Sequence, residues 1–197
     1  VPAPSYNVAP TQSVPAIVRQ DDQNVLRALR WGLIPFWEKD PSIGNRMINA
    51  RSETVDSKPS FRTAFKKRRC LIPADGFYEW KGPKGSKVPM YITVPDEEPF
   101  GFAGLWEYWD EKGKSDEQIL SCTILTTDAS ESIKDVHHRM PVILKPEAFG
   151  DWMQPDTSPD DLKEIISTQI QMDFAFHPVS KAVNSVKKNS ADLIGAA

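Results

Sequence analysis

The sequence predicts an α+β fold built on a largely antiparallel sheet. Two features of the 197 residues carry that reading: many short β-branched and aromatic runs bounded by Gly, Pro and Asp, and only three stretches with helical character. A third feature, 17 prolines, fits a chain of many turns and strand edges.

In chain order, strands are predicted at Ala16 to Arg19, Leu26 to Leu33, Cys70 to Ile72, Gly76 to Trp80, Met90 to Val94, Phe100 to Trp109, Ile119 to Thr126 and Pro141 to Ile143. Pro83-Lys84-Gly85 is a turn between two of them. Phe61 to Lys67 reads as a helix with Lys66 to Arg69 at its cationic end, and Pro146 to Met153 as a short helix presenting Phe149, Trp152 and Met153. Ser158-Pro159-Asp160-Asp161 is a helix start: a hydroxyl cap, a proline in the first turn, then acids against the positive end of the dipole. Leu162, Ile165, Ile166 and Ile170 follow at helical spacing.

Hydrophobic residues make up 40% of the chain and charged residues 26%, which fits one globular domain over residues 1–197. Net charge is −3, so nucleic-acid binding would have to use a local basic face and not bulk charge. Cys70 and Cys122 each sit in an apolar strand-like run and read as buried thiols; two cysteines make neither a disulfide framework nor a zinc site. No apolar run has membrane-spanning length and no signal-peptide pattern opens the chain, so the cytoplasm, or the nucleus, is the expected compartment. Val1 is not a natural initiator, and an upstream segment is expected before it.

Three segments place polar residues among apolar ones. In Ile48-Asn49-Ala50-Arg51-Ser52-Glu53-Thr54, Asn49 and Arg51 share one side of an extended segment, where an amide and a guanidinium can grip a ligand and its phosphate; the plainer reading is a polar turn with an Arg51–Glu53 ion pair. In Ala74-Asp75-Gly76-Phe77-Tyr78-Glu79-Trp80, Glu79 is either desolvated and a proton shuttle or, one register away, solvated. In Asp135-Val136-His137-His138-Arg139-Met140-Pro141, adjacent histidines of an extended stretch point to opposite sides, so they are a poor metal pair, while one can serve as a base. His177 reads as structural. Trp31, Phe36 and Trp37, together with Lys66 to Arg69, Lys181, Lys187 and Lys188, are either aromatic core and solvated charge or a surface that stacks bases and holds phosphates. There is no phosphate-binding glycine loop, no serine elbow and no metal-ligand cluster, and neither metal nor cofactor is expected.

These segments, together with Ser5-Tyr6-Asn7-Val8-Ala9-Pro10, Arg30-Trp31-Gly32-Leu33-Ile34-Pro35, His177-Pro178-Val179-Ser180 and Val183-Asn184, occur in an order that resembles the SRAP family, the SOS-response-associated peptidases or abasic-site-processing proteins. The resemblance implies a pseudo-barrel of mostly antiparallel strands with a few flanking helices. It also implies an N-terminal cysteine, exposed when Met is removed from a Met-Cys-Gly-Arg leader, whose amine and thiol close a thiazolidine on the aldehyde of an abasic site in single-stranded DNA. An α-amine with a pKa of about 7.7–8.0 is partly neutral at pH 7, and a thiolate is a strong nucleophile, so the chemistry is sound.

By the same resemblance Asn49 would orient the amine or hydrogen-bond the sugar-derived adduct, Glu79 would move protons, and His137, which opens the His-x-Arg-x-Pro pattern, would act at the opened sugar hydroxyl or in the control of β-elimination. Arg51 would bind the flanking phosphate, Trp37 and Phe36 would stack on or wedge between bases, and Asn7 and Thr126 would line the pocket. Self-removal of the residue before the cysteine is the implied peptidase activity, and a monomer is expected. The leader is absent from these 197 residues, and neither Cys70 nor Cys122 has a free α-amine to replace it, so the chain as it stands is expected to bind without crosslinking. Two other readings stand beside this one: a non-covalent single-stranded nucleic-acid module, and a peptidase acting on other proteins with Glu79 and His137 as acid and base.

Overall fold

The computed structural model describes residues 3–95, 98–110, 118–168 and 173–197. In chain order the elements are β1 (Ser13–Gln20), β2 (Gln23–Trp31), β3 (Asn49–Arg51), α1 (Pro59–Lys67), β4 (Arg69–Ala74), β5 (Phe77–Lys81), β6 (Val88–Thr93), β7 (Phe100–Trp109), β8 (Ile119–Asp128), β9 (Arg139–Pro141), β10 (Ile143–Leu144), α2 (Phe149–Met153), α3 (Pro159–Thr168) and β11 (Ala175–Pro178), with short 3-10 turns between them. The fold is α+β, as the sequence predicts.

Five strands close on themselves. β7 pairs with β4, β4 with β1, β1 with β2, β2 with β8, and β8 returns to β7. Every pairing in this ring is antiparallel except β2–β8, which is parallel. The β1–β2 hairpin turns on Asp21 and Asp22, both left-handed (φ 49 and 57), a conformation that short polar side chains tolerate and that matches strand twist in two-residue loops.

Alternation along the strands divides the interior in two. Ala16, Val18, Leu29, Cys70, Ile72, Phe102 and Cys122 face a core inside the ring, which Met90 and Ile92 of β6 help to cover. Leu71, Ala103, Leu105 and Leu125 face outward against Ala64 and Phe65 of α1, Trp152 and Met153 of α2, and Leu162 and Ile166 of α3. A ring of five strands is narrow, and its lining is correspondingly small. At Gly104 a Cβ would lie 2.7 Å from the Cys70 sulfur and 3.1 Å from Ile72 Cδ1. Both cysteines are buried, and burial pushes the Cys122 thiol up to about 12, so neither is a nucleophile.

β5, β6 and β11 form a separate antiparallel sheet. Its other side carries Tyr78, Trp80 and Tyr91 against Val179, Val183 and Leu193. The predicted strand Pro141 to Ile143 is divided between β9 and β10, and the predicted helix Pro146 to Met153 begins as a 3-10 turn. β11 is a strand that periodicity did not mark. Ile170 lies outside the described residues, so the helical pattern is followed only to Ile166. No described helix is long and apolar enough to cross a membrane.

Candidate functional site

The second half of β8 carries β3 on one edge and β9 on the other. Asn49 pairs with Ile124 and Arg51 with Thr126, in parallel; Thr126 pairs with Pro141 and Asp128 with Arg139. Ala50 and Leu125 are buried in the helix-side core, so Asn49, Arg51 and Thr126 project from the opposite face. Asn49 and Arg51 are exposed, and their side chains make no hydrogen bond or ion pair among the described residues. The Arg51–Glu53 ion pair allowed by the sequence does not form, because Glu53 is held by Arg139.

β5 settles the register of Glu79. Phe77 packs on the core inside the ring while Tyr78 and Trp80 pack on the far side of the small sheet, which puts Glu79 on the same side as Phe77. Its side chain is 26% exposed and lies 3.8 Å (Oε1) from His137 Nδ1. Burial raises the Glu79 carboxyl above its ordinary range, against the opposing pull of His137, the Trp80 backbone and Lys87.

His137 follows a turn over residues 131–136, and its neighbours Val136 and Met140 are buried in the core inside the ring. His137 Nδ1 lies 2.9 Å from the Arg139 carbonyl and 3.2 Å from the Arg139 amide nitrogen. The shorter contact is the one in which Nδ1–H donates to the carbonyl and Nε2 is left unprotonated; in the other tautomer Nδ1 accepts from the Arg139 N–H. The expectation that His137 and His138 point to opposite sides is corrected: their rings lie side by side, centroids 4.5 Å apart and planes tilted by 37°, because the chain is turning there and becomes a strand only at Arg139.

Arg139 ties these pieces together. Its guanidinium reaches both Glu53 oxygens (2.6 and 2.9 Å), Asp128 (2.7 Å) and the Thr126 carbonyl (2.7 Å), with the Thr126 hydroxyl at 3.4 Å. These carboxylates raise the guanidinium pKa, and Arg139 in turn holds the Glu53 carboxyl below its ordinary range.

Asn7 is held by backbone carbonyls of the loop 183–188. It is 8% exposed, and its amide nitrogen donates to the carbonyls of Val183 (3.0 Å), Ser185 (3.2 Å) and Lys188 (3.0 Å). Asn189 Oδ1 accepts from the Tyr6 and Asn7 amides at 2.6 and 3.1 Å, and the Tyr78 hydroxyl donates to the Tyr6 carbonyl at 2.7 Å. The N-terminal segment is therefore sewn to the loop 183–189 and to β5. Through Tyr78, which precedes Glu79, that seam adjoins the carboxylate.

Phe36 and Trp37 are 45% and 42% exposed and meet edge to face, with centroids 4.9 Å apart. They stand on the loop after β2, anchored where the Trp109 indole donates to the Glu38 carbonyl (2.7 Å). At the loop's base Gly32, at φ +128, lies so close to Gly44 that neither position has room for a Cβ. Of the run Lys66 to Arg69, only the two lysines are exposed. Arg68 pairs with Glu107 at 2.6 Å, and Arg69 is buried against the carbonyls of Phe65, Lys66, Trp152 and Gln154. Among the described residues no group of three His, Cys, Asp or Glu side chains could hold a metal ion.

The chain belongs to the SOS response associated peptidases (SRAP), whose family model matches residues 1–186. It is 47% identical over 195 residues to the abasic site processing protein YoaM of Bacillus subtilis, covering 98% of this chain and 85% of that protein. It is 34% identical to the abasic site processing protein YedK of Escherichia coli (98% and 85% covered) and 38% identical to the abasic site processing protein HMCES of Gallus gallus (97% and 66% covered). The crystal structure of a protein from Bacteroides thetaiotaomicron superposes with a TM-score of 0.81 at 30% identity, covering 95% of this chain and 82% of that one.

Sequence reasoning missed four contributors: Glu53, Arg139, Tyr78 and Asn189. Glu53, Arg139 and Tyr78 lie inside the polar motifs, but each finds its partner across the sheet or in a distant segment, which no local pattern specifies. Asn189 lies beyond the family match, in a segment with no periodic signal.

Proposed function

We propose that this protein recognises abasic sites in single-stranded DNA and traps the ring-opened aldehyde on an N-terminal cysteine lying upstream of Val1. The observation that carries the proposal is the Glu79–His137 pair at 3.8 Å on the core side of the sheets, with the face bearing Asn49, Arg51 and Thr126 linked to it through Arg139. The amine adds to the aldehyde carbon and water leaves, forming an imine. The thiol then adds across the C=N bond, sulfur to carbon and proton to nitrogen, closing the thiazolidine.

Each step moves a proton. Glu79, with its carboxyl held above the ordinary range, supplies one to the departing hydroxyl. In the tautomer whose Nδ1–H donates to the Arg139 carbonyl, His137 takes one at Nε2 from the sugar hydroxyl or the thiol. Asn49 orients the amine, Arg51 grips the flanking phosphate, and Trp37 and Phe36 stack on neighbouring bases. Thr126 lines the same face as Arg51. Asn7 acts one step removed, by aligning the segment that carries the nucleophile. Removal of a residue preceding the cysteine, the peptidase step, uses the same pair. The domain extends over residues 1–197.

The test is an abasic single-stranded oligonucleotide incubated with the chain extended by Met-Cys-Gly-Arg and processed to its cysteine. The expected result is an adduct that survives denaturing electrophoresis, is abolished by Cys→Ala in the leader and is slowed by Glu79→Gln and His137→Ala. No adduct from the extended chain, with intact and abasic strands bound equally well, overturns the proposal in favour of a non-covalent binding module.

A further inference from the structure

We infer that Glu53 is a positioning residue: its ion pair with Arg139 locks the strand carrying Asn49 and Arg51 to the segment carrying His137. The inference deepens the reading above and rests on it for the meaning of those three residues.

The two segments have no covalent reason to stay in register, since 85 residues lie between Glu53 and Arg139. β3 and β9 are three residues each and pair with β8 on opposite edges, so the ladder alone holds each weakly. Arg139 bridges them across β8. Two parallel bonds to Glu53 fix the guanidinium plane, a third goes to the Thr126 carbonyl of the strand between, and a fourth goes to Asp128. The Arg139 side chain is 14% exposed, so the pair is partly shielded from solvent at the arginine end.

The backbone of the same residue sets the imidazole. The Arg139 carbonyl and amide nitrogen lie 2.9 and 3.2 Å from His137 Nδ1. Whatever moves the Arg139 backbone therefore disturbs both contacts that hold the Nδ1 edge of His137, and the shorter of them is the one that keeps a proton on Nδ1. Lysine would not replace Arg139 here, because a point charge cannot bond both Glu53 oxygens and the Thr126 carbonyl in one plane.

The lock has a second consequence: Glu53 makes no ion pair with Arg51, whose charge acts on it only at longer range. With its neighbouring carboxylate engaged by Arg139, the Arg51 guanidinium stays open to a phosphate. Loss of Arg139 frees Glu53 to turn toward Arg51, two residues away, so it damages the phosphate contact as well as the imidazole.

The test uses Glu53→Ala, Glu53→Gln, Arg139→Ala and the Glu53→Ala/Arg139→Ala double variant. The first readout needs no leader: imidazole 15N shifts of His137 in the full chain. The wild type is expected to show the Nδ1–H tautomer in excess, and Glu53→Ala to lose that bias while its thermal unfolding stays cooperative. The second readout is the rate of adduct formation on an abasic oligonucleotide, alongside affinity for an intact single strand. Glu53→Ala is expected to slow the adduct about tenfold or more, as misplacement of a reacting group does, with intact-strand affinity changed less than about twofold. Glu53→Gln, which keeps one acceptor oxygen, is expected to fall between. In the cycle, the double variant is expected to lose no more rate than Arg139→Ala alone. An unchanged His137 tautomer in Glu53→Ala, or rate losses that multiply in the double variant, overturns the lock. Absence of any adduct from wild type while the tautomer shifts as expected would leave the lock standing and refute the crosslinking chemistry instead.

Discussion

Replacing Asn7 with alanine separates a fastener from a ligand contact. The Asn7 amide nitrogen has two hydrogens shared among three carbonyls at 3.0, 3.2 and 3.0 Å, and only the bond to Val183 is fully buried. Two net hydrogen bonds are worth about 0.5–1.5 kcal/mol each, and a buried carbonyl left unsatisfied costs about 1–3 kcal/mol. Solvent reaches the Ser185 and Lys188 ends, so the expected loss is about 2–4 kcal/mol. For a domain of this size that corresponds to a fall in Tm of roughly 5–15 °C. The assay is urea unfolding followed by tryptophan fluorescence, with an unchanged m-value marking a change in stability alone. Affinity for an intact single strand should stay within about threefold, since Asn7 faces backbone and not solvent. A stability loss under about 0.5 kcal/mol combined with a large loss of DNA affinity would refute the reasoning and return Asn7 to the binding face.

Glu79→Gln should make stability less dependent on pH: the folded state raises the carboxyl above its ordinary 4.5, so the stability from its protonated form is complete below 4.5 and lost as pH rises through the folded value. Thermal unfolding between acid and neutral pH should show the variant gaining on wild type as pH rises, with the two converging below 4.5 apart from a constant offset. Trp37→Ala should leave Tm nearly unchanged, because the ring is 42% exposed and lies outside the buried core clusters, yet weaken single-strand binding by about 1–3 kcal/mol in fluorescence anisotropy. Gly104→Val should overpack the ring against Cys70 and Ile72 and cost about 1–3 kcal/mol or more in denaturant unfolding, whereas Gly150→Ala, where a Cβ meets nothing, should not destabilise.

The strands of the ring were readable because each obeys a local rule. β7 and β8 are long runs of apolar and β-branched residues, and their predicted spans, Phe100 to Trp109 and Ile119 to Thr126, match the observed strands to within two residues. β3 and β11 escape the sequence pattern because three or four residues carry no period, and they form as partners of β8 and β6. The same limit explains the histidines. A rule about alternation applies to extended chain, and His137 and His138 stand just before the strand begins.

By itself the sequence determined the residue types of the site and the faces on which most of them lie, since Asn49 and Arg51 two apart on a strand share a side whatever the strand packs against. It also determined the family, through motifs in a fixed order. Only the tertiary structure decided that Glu79 faces inward, that Glu53 binds Arg139 and leaves Arg51 open, and that Asn7 is a fastener held by a loop 176 residues or more away in sequence. The physical reason is one of range. Side-chain period is a property of neighbours along the chain, but burial and ion pairing are set by groups brought together across the sheet, and a carboxylate chooses its arginine by distance in space.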